Sequence, residues 1–80
     1  MTDKTKIEFE LLIRNTLNLQ DSVNLTEVRY GSPPNWDSIR HVELFIALQN
    51  KFRVTFSTDE IVNLNSYTAL REVLLQKVKR

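Results

Sequence analysis

The chain has no cysteine, a single glycine, a single histidine and a single tryptophan among its 80 residues. Without cysteine there is no disulfide framework and no thiolate metal site, and His41 alone cannot make up the deficit, so no metal centre is expected. Gly31 alone cannot build a glycine-rich loop that cradles phosphates. The shortage also removes the Gly-x-Ser-x-Gly elbow, leaving Asp37, Ser38 and His41 without the oxyanion loop and pocket that a hydrolase needs. His41 projects nearer the core side of its helix and reads as a packed or hydrogen-bonded residue, not a base. No apolar run approaches the ~20 residues of a membrane span, and Met1-Thr2-Asp3-Lys4 lacks the apolar core of a signal peptide. The expectation is a soluble, cytoplasmic, monomeric protein that is not an enzyme.

Charge of one sign is also missing. Eleven basic residues against ten acidic ones give a net charge of +1, which favours neither nucleic acid nor membrane insertion. Lys77, Lys79 and Arg80 cluster at the end, but no aromatic stacking platform accompanies them, and a solvated helix end accounts for them better. With 41% hydrophobic and 26% charged residues the composition is globular. One domain over 1–80 is expected, near the lower limit for folding without staples.

What the chain does have is helical periodicity. A first helix is predicted from about Thr5 to Leu17, with Phe9, Leu12, Ile13, Thr16 and Leu17 facing inward and the other positions largely polar. A long connection follows from Asn18 to Asp37, punctuated by Asp21-Ser22, Asn24 and Gly31-Ser32-Pro33-Pro34. Leu19, Val23, Leu25, Val28 and Tyr30 are expected to pin it to the bundle, and Leu25-Thr26-Glu27-Val28 has room for one helical turn. Trp36 reads as an anchor for the loop end, the alternative being a direct contact with a partner or cargo.

The double proline keeps Asn35, Trp36 and Asp37 outside the second helix, and Asp37 fits as its N-cap. Ser38 then sits in the first turn. A phosphoester there would lie beside free N–H groups at the positive end of the helix dipole. Along this helix Leu44, Leu48 and Phe52 form a core stripe with Phe45 at its margin. Ile39, Val42 and Ile46 form a second apolar stripe on roughly the opposite side, flanked by Glu43 and Asn50. Either another segment covers it, or it is a docking surface beside Ser38.

Beyond Phe52, Val54 and Phe56 alternate as a short extended link. Ser57-Thr58-Asp59-Glu60 has capping-box spacing and starts a short helix through Ile61 to about Leu64. Ser66 can cap a last helix in which Tyr67, Leu70, Val73, Leu74 and Val78 share a face. The fold class is therefore all-α: a small four-helix bundle, three main helices plus one short helix, with a long loop between the first and second.

Asp37-Ser38-Ile39, followed by Val42-Glu43-Leu44, Ala47-Leu48 and Phe52, resembles the acyl carrier protein signature around the serine that carries phosphopantetheine. Val54, Phe56, Asp59-Glu60-Ile61, Leu64, Ser66-Tyr67 and Leu70 run in that family's order and spacing. The resemblance covers the second half well and the first helix loosely. It implies a carrier whose Ser38 bears a covalent phosphopantetheine arm derived from coenzyme A, with Asp37 as its motif neighbour. It also implies three kinds of partner: a phosphopantetheinyl transferase, an acyl- or aminoacyl-loading ligase or transacylase, and a downstream synthase or transferase. Ile39, Arg40, Glu43 and Ile46 are the positions expected to meet them. The chain departs from the family in three places. Asn35 stands where a glycine commonly precedes the Asp-Ser pair, Arg40 replaces a common acidic residue, and Gln49 and Asn50 replace glutamates. Read without the resemblance, the same residues describe a non-catalytic helical interaction domain that binds a partner helix through Ile39, Val42 and Ile46.

Overall fold

The computed structural model describes residues 3–32 and 34–78. It is all-α, with α1 (Asp3–Leu17), a single 3-10 turn (Leu25–Glu27), α2 (Ser38–Phe52), α3 (Thr58–Asn63) and α4 (Tyr67–Val78). Among the described residues no strand forms; Arg29 makes isolated bridges to Ser32 and Ser66. No described helix is long and apolar enough to cross a membrane.

In α1 the predicted inward stripe holds: Phe9, Ile13 and Leu17 are fully buried, with Leu12 packed beside them. The helix begins slightly earlier than Thr5, at Asp3, and ends where Asn18 turns left-handed at φ 55°. Asparagine tolerates that conformation, and the Leu19 N–H then closes the helix on the Arg14 carbonyl at 2.8 Å. The outer face is less polar than expected. Ile7 and Leu11, one turn apart, stand more than half exposed, with no described element over them.

Residues 18–32 and 34–37 form a wall of the bundle, not a tether. Asn24 accepts from the Thr26 N–H to cap the 3-10 turn, which buries Leu25, and Val28 follows it into the core. Arg14 ties the loop to α1 by donating to the Gln20 and Val23 carbonyls at 2.7 and 3.1 Å. At the far side the Tyr30 N–H donates to the Asn65 carbonyl at 2.7 Å and the Tyr67 N–H to the Val28 carbonyl at 3.0 Å. Leu19 and Val23 are half-buried, but the Tyr30 side chain is not a pin: it is 46% exposed, with its ring edge-on to His41.

Leu44, Phe45 and Leu48 of α2 belong to the same buried cluster as Leu70 and Leu74 of α4. Phe45 is in that core and not at its margin, because Phe56 and His41 close over it edge-on, each 4.9 Å between ring centres. Phe52 is only half-buried. α2 stops at Arg53, whose left-handed φ of 56° directs the chain into the extended link.

The capping box of α3 forms in full. Ser57 Oγ accepts from the Glu60 N–H, and the Glu60 carboxylate accepts from the Ser57 N–H at 2.9 Å. That backbone bond, aided by Lys77 at 3.1 Å, holds the Glu60 carboxyl below its ordinary range. Lys77 also lies 5.0 Å over the Phe56 ring, so it is a half-buried strut and not the solvated end expected of it. Lys79 and Arg80 lie outside the described residues, as does Pro33.

Ser66 caps α4 as its position suggested, accepting from the Ala69 N–H at 3.1 Å. Tyr67 stacks on Phe9 and donates its hydroxyl to Glu10 at 2.8 Å. Burial, and then the carboxylate beside it, push the Tyr67 phenol up to about 12 from 10.0. A raised folded value stabilises below the unfolded pKa and is lost as pH climbs from about 10 to about 12. Urea melts across that interval should show a loss on the order of 2 kcal/mol in the parent. Tyr67→Phe should be weaker at neutral pH and lack this component of the alkaline decline; parallel curves would refute the assignment.

Candidate functional site

Ser38 opens α2 and is exposed. Its position is fixed by the three residues before it, each of which is held by a different contact. The Asn35 side-chain amide donates to the carbonyl of Leu17, the last residue of α1, at 2.9 Å. Trp36 is fully buried. Asp37 stays extended at φ −108° and ψ −173° and caps α2: its Oδ1 accepts from the Arg40 N–H at 2.9 Å, and its carbonyl accepts from the His41 N–H at 2.8 Å. The hydroxyl of Ser38 is thus presented from an anchored backbone at a helix N-terminus, where orphan amides and the dipole favour an anionic substituent.

His41 lies one turn further along α2 and is 9% exposed. The Trp36 indole N–H donates to its Nδ1 at 2.9 Å, and its Nε2 meets the Ile61 carbonyl of α3. An indole nitrogen can only donate, so Nδ1 must accept; the hydrogen-bond network therefore assigns the ring proton to Nε2, which donates to Ile61. Both nitrogens are engaged within the core, leaving neither to take a proton from Ser38. One neutral imidazole thereby joins the loop, α2 and α3.

Beside Ser38 the second apolar stripe lies open. Ile39, Val42 and Ile46 are 66%, 53% and 52% exposed, and no described segment covers them. Arg40 and Glu43 sit on the same helix and pair with each other at 2.9 Å, both about half exposed. Val62 of α3 is also exposed, and with Tyr30, His41, Ile61 and Asn65 it lines an open cleft of about 250 Å³. Among the described residues no cluster of three or more His, Asp or Glu side chains gathers as a metal site would.

The Trp36 anchor, the Asp37 cap, the Ser38 position and the packed His41 all stand where the residues suggested. Sequence reasoning missed the Trp36–His41 bond and the Asn35 tie to α1. The first had a signal: a buried indole N–H needs an acceptor, and the lone histidine lies five positions on. The second had none, since an asparagine that reaches 18 residues back to a helix end depends on tertiary placement.

No protein-family model matches the chain, and no curated protein matches it.

Proposed function

We propose that this bundle is a protein-interaction module that docks through the outward face of α2, and that it works as a carrier by bearing a phosphopantetheine arm on Ser38. The observation that carries the reading is the exposure of Ile39, Val42 and Ile46 directly beside an anchored, solvent-facing Ser38. An uncovered aliphatic stripe beside the serine supports a docking role for this face. That exposure is what supports the docking half; the arm rests on the resemblance of Asp37-Ser38-Ile39 and the residues after it.

Ser38 suits the group chemically. Its hydroxyl is accessible, and the phosphodiester would sit at the N-terminal end of a 15-residue helix. Attachment forms a bond from Ser38 Oγ to the pantetheine phosphorus of coenzyme A and breaks the pyrophosphate link; adenosine 3′,5′-bisphosphate leaves, and the hydroxyl proton passes to the transferase. The arm would supply a terminal thiol for acyl or aminoacyl thioesters, a group that a cysteine-free chain lacks. The chain's own part is to hold Ser38 in place and to bind each loading ligase, transacylase or downstream synthase weakly enough to release it. Tethering raises the local concentration of cargo at a docked enzyme without new contacts.

Intact mass before and after incubation with coenzyme A, magnesium and a broad-specificity phosphopantetheinyl transferase tests the arm. One phosphopantetheine on the parent and none on Ser38→Ala is the expected outcome. No gain by the folded parent with several transferases would leave the second reading, an interaction domain that needs no arm. The same exposed stripe favours that second reading, since its exposure does not depend on Ser38.

A further inference from the structure

His41 holds the loop with one ring nitrogen and α3 with the other, and the two bonds answer differently to a proton. With the ring neutral, Nδ1 accepts from the Trp36 indole N–H and the Nε2–H donates to the Ile61 carbonyl. An imidazolium carries a hydrogen on both nitrogens and accepts nothing. Proton uptake at Nδ1 therefore sets two N–H groups against each other across the 2.9 Å that one hydrogen bond now spans. The contact with Ile61 gains instead, because a charged donor makes the stronger bond to a carbonyl.

A proton can reach the ring without the fold opening. His41 shares with Tyr30, Ile61, Val62 and Asn65 the lining of the open cleft of about 250 Å³. The groups that face the ring are Tyr30 and Trp36 from the loop, Phe45 from α2 and Ile61 from α3, and Tyr30 is the only other ionisable side chain among them. The nearest carboxylates along α2 and α3 are engaged elsewhere: Asp37 with the Arg40 N–H, Glu43 with the Arg40 guanidinium, and Glu60 with the Ser57 N–H and Lys77. No acid stands ready to take the new N–H in place of the indole, so relief has to come from movement of Trp36. What moves with it is Gly31, whose N–H donates to the Trp36 carbonyl at 2.9 Å. Asp37 stays, tied to the Arg40 and His41 N–H groups.

We infer that His41 is an acid-operated latch: its protonation frees Trp36 and the loop end before Ser38 from α2, while the α3 contact and the Asp37 cap remain in place. The inference needs no arm on Ser38. Its direction follows from linkage. The folded chain takes this proton only by giving up a bond and the unfolded chain takes it freely, so the loop end is most secure at neutral pH and above and loosens as pH falls below about 6.5, the ordinary imidazole value.

Proton and nitrogen-15 NMR of the full chain between about pH 8 and pH 5 tests it, reading the Trp36 indole N–H, both ring nitrogens of His41 and the backbone amides of α2 and α3. As Nδ1 gains its proton, the exchange protection of the indole hydrogen, taken relative to free indole at each pH, should fall about tenfold, the loss of one buried hydrogen bond. The Nε2–H should persist, and the helix content by circular dichroism should hold. In Trp36→Phe the competing donor is gone, and His41 should take its proton about tenfold more readily, one pH unit above the parent. If that variant is unfolded at neutral pH, the parent resonances decide alone. A ring that gains its proton while the indole keeps its protection overturns the inference. So does a ring that stays neutral until the whole chain unfolds, or helix content that falls in step with the indole bond.

Discussion

Trp36→Ala should cost about 3–5 kcal/mol, the range for removing a buried aromatic side chain. For 80 residues the whole stability is about 4–12 kcal/mol, so the variant should lose between about a quarter and all of it. The effect has two sources. The indole is fully buried among the core side chains, and its removal leaves a void that the surrounding helices fill only in part. It also strips His41 Nδ1 of its donor inside the core, a further desolvation cost. Trp36→Phe separates them: it keeps most of the packing, loses the bond, and should cost about 1–3 kcal/mol. Urea denaturation followed by far-ultraviolet circular dichroism reads both variants. A loss below ~1 kcal/mol for Trp36→Ala would mean that the loop end is not anchored as described.

The second large effect falls on the partner residue. His41→Phe preserves a flat ring between Tyr30, Phe45 and Trp36 but leaves the indole N–H and the Ile61 carbonyl without their partner. A buried N–H and a part-buried carbonyl orphaned at ~1–3 kcal/mol each predict a loss of about 2–6 kcal/mol in the same melts. The double variant Trp36→Phe/His41→Phe should cost less than the sum of the two singles, because the second change removes a group that the first had already orphaned. A coupling of about 0.5–3 kcal/mol is expected. Strict additivity would show that the bond contributes nothing to stability.

These two residues also mark where sequence reading stopped. Periodicity alone placed the helices, because the positions it selects in α1 and α4 depend only on which side of a local helix faces inward. Local capping was equally legible. Asp37, Ser57 and Ser66 each cap a helix within three residues of themselves, so spacing contains the whole interaction. Contacts across the bundle were not legible. Whether Ile39, Val42 and Ile46 were covered depended on where the loop and α3 came to lie. Phe45 looked marginal on a helical wheel until Phe56 and His41 closed over it, and Lys77 looked solvated until Glu60 and Phe56 met it. Tyr30 erred the other way, since its backbone is bonded to Asn65 while its ring remains at the surface. At the candidate site, Ser38 and its cap could be read from adjacent residues. Asn35 could not, because its partner lies at the end of another helix.

The burial of Trp36 also makes it a spectroscopic reporter. It is the only tryptophan in the chain, stands two positions before Ser38, and is enclosed with its ring nitrogen bonded to His41. Its emission therefore comes from one site, and that site is the backbone that presents the hydroxyl. An event that loosens this segment admits water to the indole and shifts its emission to longer wavelength, whereas one that leaves the segment intact does not. The state of the segment that leads into Ser38 can thus be followed by ordinary fluorescence, with no label introduced and no surface residue altered.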